Sequence, residues 1–225
     1  MTIAVEQDET RTFVARVFAC PPDVAILMVR RGRLRSFART AMMLRCGDWV
    51  TLTHLLLAGR AQALLYAADG QVVLLHEFEP GDLFGILGEV DPMRQDVDVV
   101  AVDEVRTLMF EAGDLAILAQ QYGCIGLALS RMLLQRLRRT TERMYERTAL
   151  SAVGRVYAEV LRQARGHTDL TINPAPIIAE LALRVATTRE TASRAINGLE
   201  RRGIIRRDGE GLTVVAPHRL EEMVL

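Results

Sequence analysis

The spacing of the hydrophobic residues changes along this chain of 225 residues. Between about residues 40 and 110, short apolar runs alternate with turn-forming residues, which predicts strands. From about residue 115, apolar residues instead recur every three or four positions, which predicts helices. After residue 203, two short apolar runs flank a turn and predict a β-hairpin. The pattern therefore predicts a β-rich N-terminal region, a long helix and a helical C-terminal region that ends in a hairpin.

The strand-forming region is predicted to be a small antiparallel sandwich or barrel. A short helix with a basic end is expected before it, over Pro21–Phe37, and Asp69–Gly70 is expected to form a hairpin turn. The expected strands cover Ala41–Leu44, Leu55–Leu57, Ala61–Tyr66, Val72–Leu75, Val97–Val102 and Thr107–Phe110.

The long helical segment, at about residues 114–149, carries an apolar stripe between charged flanks. Leu127, Leu134, Leu137 and Met144 recur at helical spacing along it. Such a stripe predicts pairing with a second copy of the chain, and the alternative is packing against the β domain of the same chain. The domain boundary is expected after this helix, which divides the chain into residues 1–149 and 150–225.

The segment Thr187–Leu199 predicts a helix with two different faces. Ala192, Ala195, Ile196 and Leu199 share an apolar face, and the opposite face is polar. A short helix over Pro176–Val185 precedes it with only a tight turn between, which is the helix-turn-helix pattern. With the basic hairpin that follows Gly203, the pattern becomes that of a winged helix-turn-helix.

The polar face of this helix suits DNA, because Arg can bond guanine O6 and N7 and Glu can accept from cytosine N4. Residues 184–207 contain seven arginines and two acidic residues, which favours a DNA contact. The alternative is an ordinary surface helix on which Thr187 and Glu190 form a capping box. The predicted DNA-contacting residues are Thr188, Arg189, Glu190, Thr191, Ser193, Arg194 and, in the wing, Arg206.

Charge is distributed unevenly although the net charge is zero, with 28 basic and 28 acidic residues. Residues 1–130 hold 11 arginines and 17 acidic residues, whereas residues 131–225 hold 17 arginines and 11 acidic residues. An acidic sensor or assembly domain joined to a polyanion-binding domain fits this distribution. No apolar run approaches the roughly 20 residues that span a bilayer, and the N-terminus is acidic, so a cytoplasmic protein without a membrane partner is expected.

The three cysteines and four histidines are dispersed along the chain. Their spacing predicts neither a disulfide framework nor a metal site, and the cysteines are expected to be buried or half-buried. No nucleophile–base pair or pair of carboxylates has a spacing that suggests catalysis, so an enzyme is the least favoured class.

The order of β domain, long helix and winged helix-turn-helix resembles the CRP/FNR family of transcription regulators over nearly the whole chain. Leu57–Arg60, Pro80–Gly85 and Thr188–Thr191, continued through Leu199–Glu200, carry the resemblance. It implies an α+β fold with an N-terminal β-roll of the cyclic-nucleotide-binding type (a double-stranded β-helix or jelly roll), a long dimerisation helix and a C-terminal winged helix-turn-helix.

The resemblance also implies a homodimer that binds a palindromic DNA site and contacts RNA polymerase. Arg189, Glu190 and Arg194 occupy the base-reading positions of relatives whose half-sites have a TGTGA-like core. The loop Arg165–Asn173 occupies the position of the family's best-known polymerase contact.

The effector pocket departs from the family pattern. Cyclic-nucleotide binders carry a Glu after the glycine that matches Gly85 and an Arg-Ser pair for the phosphate, where this chain has Ile86 and Gln95–Asp96. Arg94 is the alternative phosphate ligand, and Thr140 and Thr141 match helix hydroxyls that meet the base. Cyclic AMP is therefore not expected as the effector, and no cofactor is expected. The alternative is a roll that binds no small ligand, in a regulator controlled by its abundance or by a partner protein. The predicted pocket residues are Gly85, Ile86, Arg94, Gln95, Asp96, Thr140 and Thr141.

Overall fold

The structure is a computed structural model, and it describes residues 2–66, 72–86, 93–209 and 211–224. The chain forms two compact units, residues 1–137 and 138–225. The division between them falls inside a long helix that ends at Ala149. The predicted boundary between residues 149 and 150 therefore marks the end of this helix instead.

Two helices precede the first strand: α1 spans Thr2–Phe18 and α2 spans Pro22–Arg31. Their buried side chains, such as Phe18 and Met28, form an apolar cluster with residues of the β domain. The helix predicted over Pro21–Phe37 is wrong beyond Arg31. Residues Arg33–Phe37 form strand β1 instead, because they pair antiparallel with a distant strand, β10, at Val105–Glu111.

The N-terminal unit confirms the predicted β-roll. The strands between β1 and β10 are β2 (Met42–Leu44), β3 (Trp49–Val50), β4 (Leu52–Ala58), β5 (Ala61–Tyr66), β6 (Val72–Phe78), β7 (Leu83–Gly85), β8 (Met93–Arg94) and β9 (Asp98–Ala101). Within the described residues they pair antiparallel, in the orders β1-β10-β4-β7, β2-β9-β5-β6 and β3-β8. All the predicted strands are present. The ends of β5 are as predicted and those of the others are shifted, whereas β3, β7 and β8 are too short for periodicity to predict. The predicted turn at Asp69–Gly70 lies outside the described residues.

Residues 112–149 form two helices where the sequence predicted one from about residue 114. Helix α3 spans Ala112–Gln121, α4 spans Gly123–Ala149, and the chain bends by 116° between them. Tyr122 at the bend has extended backbone and donates its N–H to the carbonyl of Leu118 at 2.9 Å, which ends α3. The long helix therefore begins at Gly123.

None of the described helices is long and apolar enough to cross a membrane by itself. The bent pairs α1–α2 and α3–α4 meet the length and composition criteria only when each pair is taken together. The cysteines are free, and Cys46 is exposed, contrary to the expectation that it would be buried or half-buried.

The C-terminal unit confirms the predicted winged helix-turn-helix. Its elements after α4 are α5 (Ala152–Arg165), β11 (Thr171–Ile172), α6 (Ile178–Arg184), α7 (Arg189–Arg201), β12 (Ile205–Arg207), β13 (Leu212–Val214) and α8 (Pro217–Glu222). One apolar core, which includes Val160, Leu181, Ile196 and Leu199, joins these elements. The hairpin β12–β13 gains a third strand, since β11 pairs with β13.

Candidate nucleic-acid interface and effector region

Helix α7 begins at a threonine cap. The Thr188 hydroxyl accepts a hydrogen bond from the backbone N–H of Thr191 at 3.2 Å, and the two threonine hydroxyls lie 3.0 Å apart. An N-cap of this kind satisfies a backbone donor that the helix itself leaves open. The cap is Thr188 with Thr191, so the alternative capping box of Thr187 and Glu190 is wrong. The carboxylate of Glu190 is left exposed on the first turn.

The two predicted faces of α7 are confirmed. Ala192, Ala195, Ile196 and Leu199 are at most 4% exposed and pack into the core of the C-terminal unit. Arg189, Glu190 and Arg194 are exposed, and Thr191 and Ser193 are half-buried. Within the described ranges, the side chains of Arg189, Glu190 and Arg194 form no hydrogen bond or ion pair. Their donors and acceptors are therefore available to a DNA groove.

The turn before α7 is held by an arginine that the sequence patterns did not indicate. Ala186 in the turn has a positive φ of 50°, a conformation that costs energy for a residue with a Cβ. The guanidinium of Arg155 on α5 donates to the carbonyls of Val185 at 2.8 Å, Ala186 at 3.0 Å and Leu150 at 3.0 Å. The bonds to Val185 and Ala186 satisfy carbonyls at the end of α6 and hold the turn that sets the direction of α7.

The two arginines of the wing differ in their contacts. The side chain of Arg207 bonds Glu200 of α7, with its Nε at 3.1 Å, and donates to the Asn197 side chain at 2.8 Å. This hydrogen bond lowers the pKa of Glu200 and raises that of Arg207. Arg206 is exposed and makes no ion pair with any described residue. Arg207 therefore braces the wing against α7, whereas the charge of Arg206 is directed to solvent.

In the roll, Gly85 and Ile86 have structural tasks. Gly85 has φ +94°, and a Cβ at this position would lie 2.3 Å from the carbonyl oxygen of Leu52, so only glycine fits. The Ile86 side chain is buried and packs with Val50 and Ala112. The Ile86 carbonyl accepts a hydrogen bond from the buried Thr53 hydroxyl.

The other predicted pocket residues lie on a different face. Arg94 pairs with Trp49 across strands β3 and β8, and its guanidinium lies 5.1 Å from the centre of the exposed Trp49 ring. Trp49 and Val50 are neighbours in β3, so their side chains point to opposite faces. Arg94 therefore lies with Trp49 on one face, and Ile86 lies with Val50 on the other. The structure does not bring these two predicted pocket residues together.

The loop after Arg94 is ordered by backbone contacts. The Gln95 N–H donates to the Asp48 carbonyl at 2.9 Å, and the Gln95 carbonyl accepts from Gly47 at 2.8 Å. Asp96 is exposed, and its carbonyl accepts from the Cys46 thiol at 3.3 Å. The Asp96 carboxylate is thus on the surface of the roll.

Arg136 on helix α4 lies against the β-roll, a contact that the sequence patterns did not indicate. The guanidinium of Arg136 lies 5.3 Å from the centre of the Phe78 ring. Loss of solvent around it lowers the pKa of Arg136, and the carboxylate of Asp82 opposes this shift. Thr140 and Thr141 are exposed on the part of α4 that belongs to the C-terminal unit.

The interior of the roll holds a histidine. His54 is 2% exposed, its ring stacks on Phe84 with centroids 4.9 Å apart, and its Nδ1 lies 3.4 Å from the Thr107 hydroxyl. Burial, together with the positive charge of Arg35, lowers the pKa of His54 from 6.5 to about 4. The imidazole is therefore neutral at physiological pH.

The N-terminal unit is expected to lose stability in mild acid because of His54. Unfolded His54 takes up a proton below pH 6.5, whereas folded His54 does so only near its pKa of about 4. The contribution is therefore complete above pH 6.5 and is lost as the pH falls toward 4, by roughly 3 kcal/mol in all. Urea unfolding followed by the fluorescence of Trp49, the only tryptophan of the chain, measures this loss.

The prediction is tested with His54→Phe, and His167→Phe is the control. His54→Phe keeps an aromatic ring against Phe84 but removes the titrating group, so the slope of the unfolding free energy between pH 6.5 and 4 should become shallower. His167→Phe, at an exposed position in the other unit, should leave the slope unchanged. An unchanged slope in His54→Phe would contradict the prediction.

The predicted dimer stripe lies on the surface of the protomer. Leu127, Leu134, Leu137 and Met144 on α4 are 52%, 57%, 62% and 68% exposed. Leu133 and Tyr145, which the spacing did not single out, are 54% and 64% exposed. An exposed apolar strip of this length is characteristic of a surface that another molecule covers.

Comparison with known proteins matches both units. Residues 34–122 match the family model of the cyclic nucleotide-binding domain, and residues 154–223 match that of the Crp-like helix-turn-helix domain. Together these matches cover the roll and the helices that carry the exposed Arg189, Glu190 and Arg194.

Relatives are similar along most of the chain. A CRP-like cAMP-activated global transcriptional regulator of Mycobacterium tuberculosis is 27% identical over 172 residues, which cover 74% of this chain and 77% of the relative. The cyclic AMP receptor protein of Thermus thermophilus is 26% identical over 167 residues, covering 71% and 73%. The structure of a CooA mutant from Carboxydothermus hydrogenoformans has the same fold, with a TM-score of 0.77, 18% identity and coverage of 88% of this chain and 89% of that one.

Proposed function

The chain belongs to the CRP/FNR family of DNA-binding transcription regulators, and from this premise we propose that it acts as a homodimer on a palindromic site with TGTGA-like half-sites. The observation that carries the proposal is the exposed face of α7. Arg189, Glu190 and Arg194 lie together there without partners among the described residues, on a helix whose other face is buried. Each arginine suits a guanine, and the carboxylate suits the amine of a cytosine.

The dimer follows from the same proposal. A helix-turn-helix that reads both halves of a palindrome needs a two-fold axis between its copies. The exposed stripe of α4 supplies an apolar surface on which a second copy of α4 can pack. We place the protein in the cytoplasm with its DNA. We assign the segment Arg165–Asn173, which runs from the last residue of α5 through β11, to a contact with RNA polymerase.

Selection of sites from random double-stranded DNA by the wild-type chain tests the proposed function. We expect the selected sites to be palindromic, with TGTGA-like half-sites about one helical turn apart from centre to centre. Selection of single, unpaired half-sites, or of no preferred sequence, would contradict the proposal.

The effector of this regulator is proposed to be a molecule other than cyclic AMP. The buried Ile86 side chain cannot accept a hydrogen bond from a ribose hydroxyl, the carboxylate of Asp96 repels a phosphate, and Arg94 stacks on Trp49. Loss of a charge-assisted phosphate contact alone costs on the order of 1.5–3 kcal/mol.

Calorimetric titration of the wild-type protein with cyclic AMP is expected to show no saturable site of micromolar affinity. A tight site that disappears in Arg94→Ala would contradict this and would assign the phosphate to Arg94. A thermal-shift screen of other nucleotides and small anions separates a ligand-binding roll from the alternative of a roll without a ligand, because a ligand that binds only the folded protein raises the Tm.

A further inference from the structure

The joint between α4 and α5 is short and well bonded. Helix α4 ends at Ala149, and α5 begins at Ala152. The Ser151 hydroxyl between them caps α5 by accepting from the N–H of Gly154 at 3.0 Å. Such a joint fixes where the two helices meet, but single bonds next to it can still rotate. The angle between α4 and the DNA-binding helices therefore depends on side-chain contacts that cross the joint.

The Arg162 guanidinium crosses this joint from α5 to α4, and that of Arg155 bonds the Leu150 carbonyl within the joint. Arg162 of α5 donates through one nitrogen to Glu146 of α4 and through the other to Glu159 of α5. The side chains of Glu146 and Glu159 are only 21% and 11% exposed. Charge-assisted bonds at partly buried carboxylates are stronger than those on an open surface.

Glu159 continues this contact toward the helix-turn-helix. Its carboxylate also accepts from the Gln163 side chain at 2.7 Å and lies 3.7 Å from the guanidinium of Arg184 on α6. A series of charged groups thus runs from the last turns of α4 through α5 to α6. All of these groups belong to the C-terminal unit.

We propose that Arg162 is a positioning residue that, through Glu146, sets the angle between the dimer helix and the DNA-binding helices and thereby selects the spacing of the two half-sites. This inference rests on the proposed function. The recognition helices of a dimer must be held about one turn of DNA apart, roughly 34 Å, to enter two successive major grooves. Rotation at the joint in either protomer changes this distance without changing the residues that read bases.

The chain provides a matched control on the same helix. Arg165 lies one turn after Arg162 on α5 and also pairs with a glutamate, Glu221. Glu221 belongs to α8, so the Arg165 pair does not cross the joint between α4 and α5. Arg162→Gln and Arg165→Gln therefore each remove one arginine–glutamate pair from α5. The first substitution loses a contact with α4, and the second loses a contact with α8.

The experiment measures binding of both variants to a set of palindromes in which the half-sites are kept and their spacing is changed by single base pairs. Arg162→Gln is expected to reduce the affinity ratio between the preferred spacing and its neighbours by about fourfold or more, since each of two protomers loses a pair worth a factor of about two or more. Arg165→Gln should keep the wild-type ratio, because the assay contains DNA but no RNA polymerase for the segment Arg165–Asn173 to contact. Binding of each variant to an isolated half-site should stay within about twofold of wild type.

Glu146→Gln provides a second variant in case Arg162→Gln is unstable, because it removes the negative charge from the contact across the joint but leaves the bonds of Glu159 in place. It should reproduce the loss of spacing preference. A wild-type spacing ratio in both Arg162→Gln and Glu146→Gln, or an equal change in Arg165→Gln, would overturn the inference.

A measurement without DNA separates failure of this inference from failure of the proposed function. Spin labels at Arg139→Cys on α4 and Arg201→Cys on α7, in a background with the native cysteines replaced and diluted with unlabelled chain, report the distance across the joint. Arg162→Gln should broaden the distance distribution and Arg165→Gln should not. If the wild-type protein selects no palindrome but the distribution still broadens, the proposed function fails, whereas the role of Arg162 in holding the angle between α4 and α5 stands. An unchanged distribution overturns that role.

Discussion

The substitution Leu137→Glu is expected to convert the proposed dimer into monomers and to reduce affinity for a palindromic site by roughly 10²–10⁴-fold. Leu137 is 62% exposed on the protomer and lies in the middle of the apolar stripe of α4. In a dimer, two carboxylates would be buried near each other at this point without a compensating charge, which is strongly unfavourable. A monomer binds each half-site independently and loses the gain in effective concentration that linkage provides.

Sedimentation velocity at micromolar protein gives the oligomeric state, and fluorescence anisotropy gives affinity for a palindrome and for an isolated half-site. The matched control is Leu34→Glu, since Leu34 is also exposed, at 39%, but lies on β1 of the roll. Leu34→Glu should remain dimeric. A Leu137→Glu variant that stays dimeric would show that α4 does not provide the interface, and equal affinity for the palindrome in both variants would show that dimerisation does not matter for binding.

Replacement of Glu190 by Ala is expected to relax sequence preference at a single base pair of each half-site, at a cost of roughly 1–3 kcal/mol per half-site on the matching sequence. The reason is that a carboxylate accepts from cytosine and rejects bases that present an acceptor. Because Thr188 and not Glu190 caps α7, the substitution should leave the Tm close to that of wild type. Binding to a library of half-site variants, together with the Tm, tests both expectations.

A lower Tm with an unchanged base preference would make Glu190 a structural residue and remove the main support for a TGTGA-like half-site. Substitutions of the two wing arginines provide reference results for a phosphate contact and for a structural residue. Arg206→Ala should weaken binding to all sequences alike and reduce the salt slope by about one for each half-site bound, as for a phosphate contact. Arg207→Ala should instead lower the Tm, since Arg207 bonds Glu200 and Asn197 within the fold.

The two faces of α7 could be predicted because helical periodicity is a local property. The spacing of Ala192, Ala195, Ile196 and Leu199 defines the buried face wherever the helix is placed, and the exposed side chains follow from it. For the same reason the stripe of α4 was visible in the sequence. The exact cap was less predictable, since Thr187 and Thr188 are both suitable and only the backbone geometry selects Thr188.

The residues that hold α7 in place could not be found in this way. Arg155 bonds Val185, which is 30 positions away, and Arg162 bonds Glu146, which is 16 positions away. No local pattern relates an arginine in the middle of an amphipathic helix to the carbonyls of a later turn. Strand β1 shows the same limit, because its pairing with β10 overrides the helical pattern that continues from α2.

Local sequence patterns were enough to predict the class of the protein: a β-roll, a long helix with an apolar stripe, and a winged helix-turn-helix in which the exposed face of α7 carries Arg189, Glu190 and Arg194. These features depend on periodicity and residue chemistry, which neighbouring residues specify. The packed structure was needed to show that Arg94 lies with Trp49 on the face of β3 opposite Ile86, that the long helix starts at Gly123, and that Arg162 crosses the joint. These features depend on strand register and on contacts between residues far apart in the chain, and both are set when the elements pack together.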